Sequence, residues 1–404
     1  MMNIVTLVIC IISAPSLWRK RKLLRISYGT PMDVLIILFY CANLISLLSS
    51  PRIQDITPFR LLSSGILVYF SLRLWEPDKK QKLWIIHGLG LLTVFIASIS
   101  ILQGMFPSVF NSIAGRYFSG RSAYGLDVEF ERGRLLHWGS IIITFPFFWS
   151  SLILLKPIDT LKKYTYMILG TSVIILAFIM SNFRWTFIVF FIISLLYTKV
   201  LSYFHYLSKI SIIRIVVFGL VISLVGLFLA KSLFGYSLLE RFLLVNKVRD
   251  VNDTLGRTML FNQALNVFLS SPLTGAGTGN YYSLVSAFQH LTYFSIFDQF
   301  TLLLVPIASH NELVSVLAET GIIGFLSWFL IGYLTVRKMV VYIKKSYSFL
   351  PVDTLLLFSS AMSFGSYILY TLFENVFPQN VIFILVLIGM YDVWVKPINT
   401  DAPS

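Results

Sequence analysis

Charged residues are scarce in this chain: Asp, Glu, Lys and Arg make up 12% of its 404 residues, while 57% are hydrophobic. A soluble domain carries about a quarter charged residues, so this balance, with a mean hydropathy of +0.81, excludes a water-soluble globule. Cysteine is scarcer still. Cys10 and Cys41 both fall inside apolar segments, which excludes a disulfide framework and leads us to expect two small core residues. His87, His137, His205, His290 and His310 are scattered without metal-ligand spacing, so neither a metal site nor a cofactor is expected. Acidic residues are few, 18 against 32 basic ones, for a net charge of +14.

What the chain has in abundance is long apolar runs. About 20 apolar residues cross a bilayer as a helix, and such segments fall near 1–17, 32–50, 58–75, 83–104, 135–155, 164–181, 185–200, 212–230, 313–336, 352–373 and 379–395. The expected fold is therefore an all-α polytopic membrane protein of eleven or twelve transmembrane helices with a mostly helical external cap, forming a single membrane domain over 1–404. The first segment lacks a basic leader and is followed by Arg19-Lys20-Arg21-Lys22. That order is reversed for a cleavable signal peptide, and the segment is expected as a first span with its N-terminus outside.

Short loops rich in Lys and Arg stay in the cytoplasm. Threading eleven spans puts Arg19 to Arg25, Lys79 to Lys82, Lys156 to Lys163, Lys199 to Arg214 and Arg337 to Lys345 on one side, with the C-terminus. Counting Arg73 and Lys396, that side holds 20 of the 32 basic residues, so the positive charge reflects topology and makes no case for nucleic acid. The outer basic residues are arginine except for Lys231 and Lys247. A guanidinium forks onto phosphate oxygens where an ammonium does not, so phosphate or pyrophosphate binding stands beside simple anchoring to lipid headgroups.

Two outer loops interrupt the apolar pattern, at about 105–134, which carries Arg116 and Arg121, and at 231–310. In the second, residues 256–270 have the spacing of an amphipathic helix ending at Ser270-Ser271-Pro272. Arg257 falls on its apolar stripe with Phe261, Ala264 and Phe268, whereas Asn262, Gln263 and Asn266 are expected opposite. It points at the membrane domain, or it snorkels to lipid phosphate. The following Pro272-Leu273-Thr274-Gly275-Ala276-Gly277-Thr278-Gly279-Asn280-Tyr281-Tyr282 lacks the lysine of a phosphate-binding P-loop and is expected as a tight turn returning over the site. Gly277 and Tyr281 are its candidate substrate contacts.

Ser309-His310-Asn311-Glu312 opens an apolar run at the outer face, which places a titratable imidazole where water-borne and lipid-borne groups meet. Arg184 stands between two spans with almost no loop around it, as an interfacial anchor beside Trp185 or as half of a diphosphate grip with Arg257. Glu319 is an intramembrane carboxylate, either functional or hydrogen-bonded between helices. Glu374 returns to the outer face with weaker promise.

Arg257 opening a helix that ends in Ser-Pro-Leu-x-Gly-x-Gly, followed by His310-Asn311-Glu312 and Glu319-Thr320-Gly321-Ile322-Ile323-Gly324, resembles the O-antigen ligase and O-antigen polymerase superfamily. Arg184 at the start of a span fits the same pattern, and Arg116-Tyr117-Phe118-Ser119-Gly120 fits the family's outer loop more loosely. The resemblance covers roughly 110–395 and is specific over 255–330.

The resemblance implies a C-type, metal-independent, inverting glycosyltransferase of the bacterial inner membrane. It would move a glycan from undecaprenyl pyrophosphate to an acceptor sugar or lipid-linked sugar at the periplasmic face. His310, Arg257 and Arg184 would be catalytic, with Asn311, Glu312, Glu319, Arg116, Arg121, Gly277 and Tyr281 binding substrate and the bilayer as partner. Chain-length regulators and other polysaccharide-assembly proteins are further partners. Ligases of this superfamily often carry an extra histidine before the His-Asn pair, where this chain has Ala308 and Ser309, which tilts the expectation to polymerase over ligase. A flippase for the same lipid-linked glycan is the competing class, and it should show broken helices paired across two halves.

Overall fold

Proline and polar caps cut the apolar runs into helices. The computed structural model describes residues 30–50, 56–75, 77–106, 138–155, 160–180, 184–204, 261–280, 311–344, 351–372 and 381–394, with single positions at 217, 221, 224, 225 and 228. The long elements are α1 (Pro31–Ser49), α2 (Thr57–Leu74), α3 (Lys79–Met105), α4 (Trp138–Leu154), α5 (Thr160–Met180), α6 (Arg184–Tyr203), α7 (Glu312–Lys344), α8 (Pro351–Thr371) and α9 (Val381–Trp394). No strand occurs among the described residues. The expected segment 313–336 is part of the longer α7, because Arg337 to Lys344 contains neither glycine nor proline to stop it. Segment 1–17, most of 212–230 and the outer loop 105–134 beyond Phe106 lie outside the described residues.

Among the described residues, four helices are long and apolar enough to cross a membrane: Pro31–Ser49, Lys79–Leu102, Glu312–Lys344 and Pro351–Thr371. Shorter apolar helical stretches are Ile141–Leu154, Thr165–Phe178, Ile188–Tyr203 and Val381–Tyr391. Their outward faces are greasy. On α1, Val34, Leu38, Ile45 and Leu48 are exposed, a stripe that only a hydrocarbon surrounding satisfies. Cys41 lies on that stripe and is exposed, which corrects the expectation of a core cysteine. Its place in the heptad spacing of the exposed residues decides its direction. The protein is a helical membrane protein.

The chain divides into two compact units. The first takes residues 1–77, 251–357 and 371–404, and its core lies where α7 packs on α1 and α9 on α2. Phe39 and Trp328 stack at 4.8 Å between centroids. Where α9 crosses α2, a Cβ on Gly65 would meet Leu385 at 3.0 Å, the close helix approach that small residues allow in membranes. A capping box of Thr30 and Asp33 with Pro31 opens α1. Asp33 also pairs with Arg73 from the last turn of α2 and accepts the Tyr69 hydroxyl at 2.9 Å.

The second unit takes residues 78–250 and 358–370. Within it α4 packs against α3, α5 and α6. Pro146 lies inside α4, and its carbonyl accepts the Ser359 hydroxyl at 3.4 Å. Ser359 also bonds Ser150 at 2.6 Å and Tyr197 at 3.2 Å. This buried knot of hydroxyls satisfies polar groups that hydrocarbon could not.

Candidate functional site

Asparagine before an apolar run is a helix cap, and Asn311 serves as one here. Its Oδ1 accepts the Val314 N–H at 3.2 Å, and α7 starts at the next residue. Glu312 therefore enters the first turn, where the positive end of the helix dipole favours a carboxylate, and it is buried with 1% of its surface exposed. Ser315 and Glu319 follow at helical spacing and are buried as well. The N-terminal end of α7 thus turns a polar, acidic edge inward.

That helix then breaks. Gly321 has φ 64° and ψ −169°, a conformation open to glycine and strained for other residues. Backbone groups released inside a membrane need protein partners, since none of them can turn to water. The glycine-rich loop supplies them. Ala276 N–H donates to the Ala318 carbonyl at 2.9 Å, Gly277 N–H donates to the Glu319 carbonyl at 3.1 Å, and Ile322 N–H donates to Pro272 at 2.9 Å. Gly275 and Gly321 lie so close that a Cβ on Gly275 would come within 2.3 Å of the Glu319 oxygen, and one on Gly321 within 2.3 Å of the Leu273 oxygen. The spacing Pro-Leu-x-Gly-x-Gly and the sequence Glu-Thr-Gly are two halves of one backbone joint.

The helix before the loop rests on the same joint. Residues 261–270 are helical, and Ala264 and Val267 form a cluster with Val314, Ala318 and Ala276. Gln263 is buried with them, while Phe261 is 39% exposed. Ala264 is buried and Asn262 and Asn266 are exposed, as expected, but Phe261 and Gln263 change places: the buried stripe centres on Gln263, Ala264 and Val267, with the small Ala264 packed close to α7.

A third element completes the joint and escaped the sequence reading. Asn43, Ser46 and Ser50 lie along one edge of α1. The Thr278 hydroxyl donates to Asn43 Oδ1 at 2.8 Å, the Ser46 hydroxyl donates to the Glu319 carbonyl, and the Asn280 amide donates to Ser50 Oγ. Polar residues recurring at three and four positions inside an apolar span were the available signal.

Of the singled-out residues, the structure brings Gly277 and Glu319 together and places Asn311 and Glu312 at the start of the same helix. Gly277 has φ 106° and is closed in by Asn280 and Ser50. Arg184 is the first residue of α6, in the second unit. His310, Arg257, Arg116, Arg121 and Tyr281 lie outside the described residues. Among the described residues, no group of three or more His, Cys, Asp or Glu could hold a metal ion.

The glycine-rich loop and the break in α7 fall inside the part of the chain that compares with known proteins, while α1 lies outside it. Residues 169–329 match the O-antigen ligase family. The matched stretch runs through Arg184, the glycine-rich loop and the break in α7, and it supports the resemblance to the O-antigen ligase and O-antigen polymerase superfamily. No curated protein matches the chain. Members of the family that residues 169–329 resemble are glycosyltransferase-like enzymes.

Proposed function

We propose that this protein is a surface-polysaccharide polymerase, transferring a glycan from undecaprenyl pyrophosphate to the sugar of another lipid-linked repeat unit at the periplasmic face. The match to the O-antigen ligase family over 169–329 supports a polysaccharide-transferring enzyme, and Ala308 and Ser309, where ligases often carry an extra histidine before the His-Asn pair, tilt the reading to polymerase. In the step envisaged, the acceptor hydroxyl oxygen bonds to the anomeric carbon as the bond from that carbon to the pyrophosphate oxygen breaks, with inversion. His310 takes the hydroxyl proton or orients the hydroxyl, and undecaprenyl pyrophosphate leaves with the bonding electrons. Arg184 and Arg257 neutralise the charge that grows on that leaving group. Asn311 and Glu312, at the buried start of α7, orient the acceptor sugar.

A second reading is a ligase that joins the finished polymer to a lipid A-core sugar. The description of the matching family, O-antigen ligase, favours it. For a flippase, the break at Gly321 is a point in favour, since transporters use discontinuous helices, but no matching break pairs with it among the described helices.

The test is release of undecaprenyl pyrophosphate by purified protein given lipid-linked glycan, with lipid-linked repeats or lipid A-core as acceptor. Release with repeats alone supports the polymerase, and release only with lipid A-core supports the ligase. Donor binding without release from either acceptor points to the flippase. His310→Ala should slow release while donor binding persists. Arg184→Lys and Arg257→Lys should each restore little of the activity lost in the alanine variants, because the bidentate contact is gone. Full activity in both lysine variants removes the diphosphate grip.

A further inference from the structure

We propose that the polar edge of α1, formed by Asn43 and Ser46 and continued by Ser50, is a positioning element of the transfer site. The proposal rests on the glycosyltransferase reading above. Asn43 is fully buried, and its amide Nδ2 donates to the Phe39 carbonyl one turn back at 2.8 Å. That bond fixes the amide orientation and turns Oδ1 to the Thr278 hydroxyl, 2.8 Å away. Thr278 is also fully buried, so the contact between α1 and the loop is dry. One turn further along α1, Ser46 donates to the carbonyl of Glu319, which Gly277 N–H also reaches. At the helix end, Ser50 accepts from Asn280.

These bonds are weak as glue. Interhelical side-chain hydrogen bonds in membranes contribute about 0.6 kcal/mol on average, and apolar side chains of the same size would join the elements as firmly. What hydrogen bonds add is direction. Thr278 and the Glu319 carbonyl lie on opposite sides of the joint, one in the loop and one at the break, and α1 holds both. The segment from Glu312 to Thr320, which carries the acceptor-side residues, is therefore fixed at its Glu319 end by α1, while the Asn311 cap orders its first turn. A misplacement of about 1 Å at a transfer site can cost 100-fold in rate. Asn43 and Thr278 act through α7 and the loop, and touch no reacting atom.

Thr278→Val keeps the shape and removes the hydroxyl, and Asn43→Leu removes the side-chain acceptor, leaving the Thr278 hydroxyl only the Asn43 backbone carbonyl at 3.3 Å. Each should lower the turnover of undecaprenyl pyrophosphate release by about 10- to 100-fold, while binding of undecaprenyl pyrophosphate and the melting temperature in detergent stay near wild type. The double variant should be no slower than the slower single variant, since both delete one contact. Thr278→Ser should recover most of the turnover. Wild-type turnover in both single variants overturns the proposal, as does a Thr278→Ser variant as slow as Thr278→Val or a loss of activity matched by a loss of melting temperature. If the wild type releases nothing, the glycosyltransferase reading fails and takes this proposal with it.

Discussion

Single side chains in this protein are judged by what hydrocarbon denies them. Asp33 is 6% exposed and Tyr69 fully buried; the carboxylate is held by Arg73 and by the Tyr69 hydroxyl at 2.9 Å, while Arg73 also donates to Thr30 Oγ1 at 3.1 Å. Removing one member of such a pair leaves a charge without its partner, at a cost of about 3–5 kcal/mol, whereas removing both can be nearly neutral. Asp33→Leu should therefore lower the unfolding midpoint in detergent far more than Asp33→Leu combined with Arg73→Leu. Equal losses would mean that the pair is solvated. The sequence showed Arg73 only as one more cytoplasmic basic residue, because nothing in a linear pattern reveals that its partner sits some forty positions earlier on the neighbouring helix. Asn311 was legible differently. Its side-chain type and the apolar run after it announce a helix cap, which adds a structural duty to the substrate contact expected of it.

At the scale of elements, apolar length and proline placed the described helices well, since both are local signals. The break in α7 was not legible, because glycine occurs at Gly321, Gly324 and Gly332 alike, and only tertiary contact tells them apart. Gly321 has a positive φ and its Cα faces Leu273 and Gly275, whereas nothing lies within 4 Å of a Cβ at Gly332. Gly321→Ala should cost at least the roughly 1–3 kcal/mol of a strained backbone position, with the steric clash added, and should reduce folded yield. Gly332→Ala fills open space in a regular helix and should be neutral or stabilising by about 0.5–1 kcal/mol. Thermal unfolding of the two variants side by side checks the contrast, and equal behaviour would mean that α7 is not broken in the membrane. On 261–270 the expected faces hold for Ala264, Asn262 and Asn266 and are reversed at Phe261 and Gln263, for a related reason. A hydrophobic stripe ranks side chains by polarity, whereas the packed face was chosen by size, with Ala264 and Val267 against Val314 and Ala318.

For the whole molecule, the distribution of lysine and arginine sets an orientation that the helices themselves do not. Polyleucine stretches insert either way, and positive residues in short loops decide. The expected arrangement puts the loops at 156–163 and 337–345 in the cytoplasm and 231–310 outside, which is also what a donor displayed on the periplasmic leaflet requires. In a background where Cys10 and Cys41 are replaced by alanine, Lys247→Cys should react with a membrane-impermeant maleimide in intact spheroplasts. Lys162→Cys and Lys345→Cys should react only after the membrane is opened. The same reagent bears on Cys41 in the otherwise unaltered chain: its place on the exposed apolar stripe of α1 predicts protection in the bilayer on either side, and reaction once the protein is denatured. Labelling of Lys162→Cys from outside would invert the topology, turn the arginine-rich loops to the cytoplasm and remove the periplasmic transfer reaction from consideration, whatever the family match.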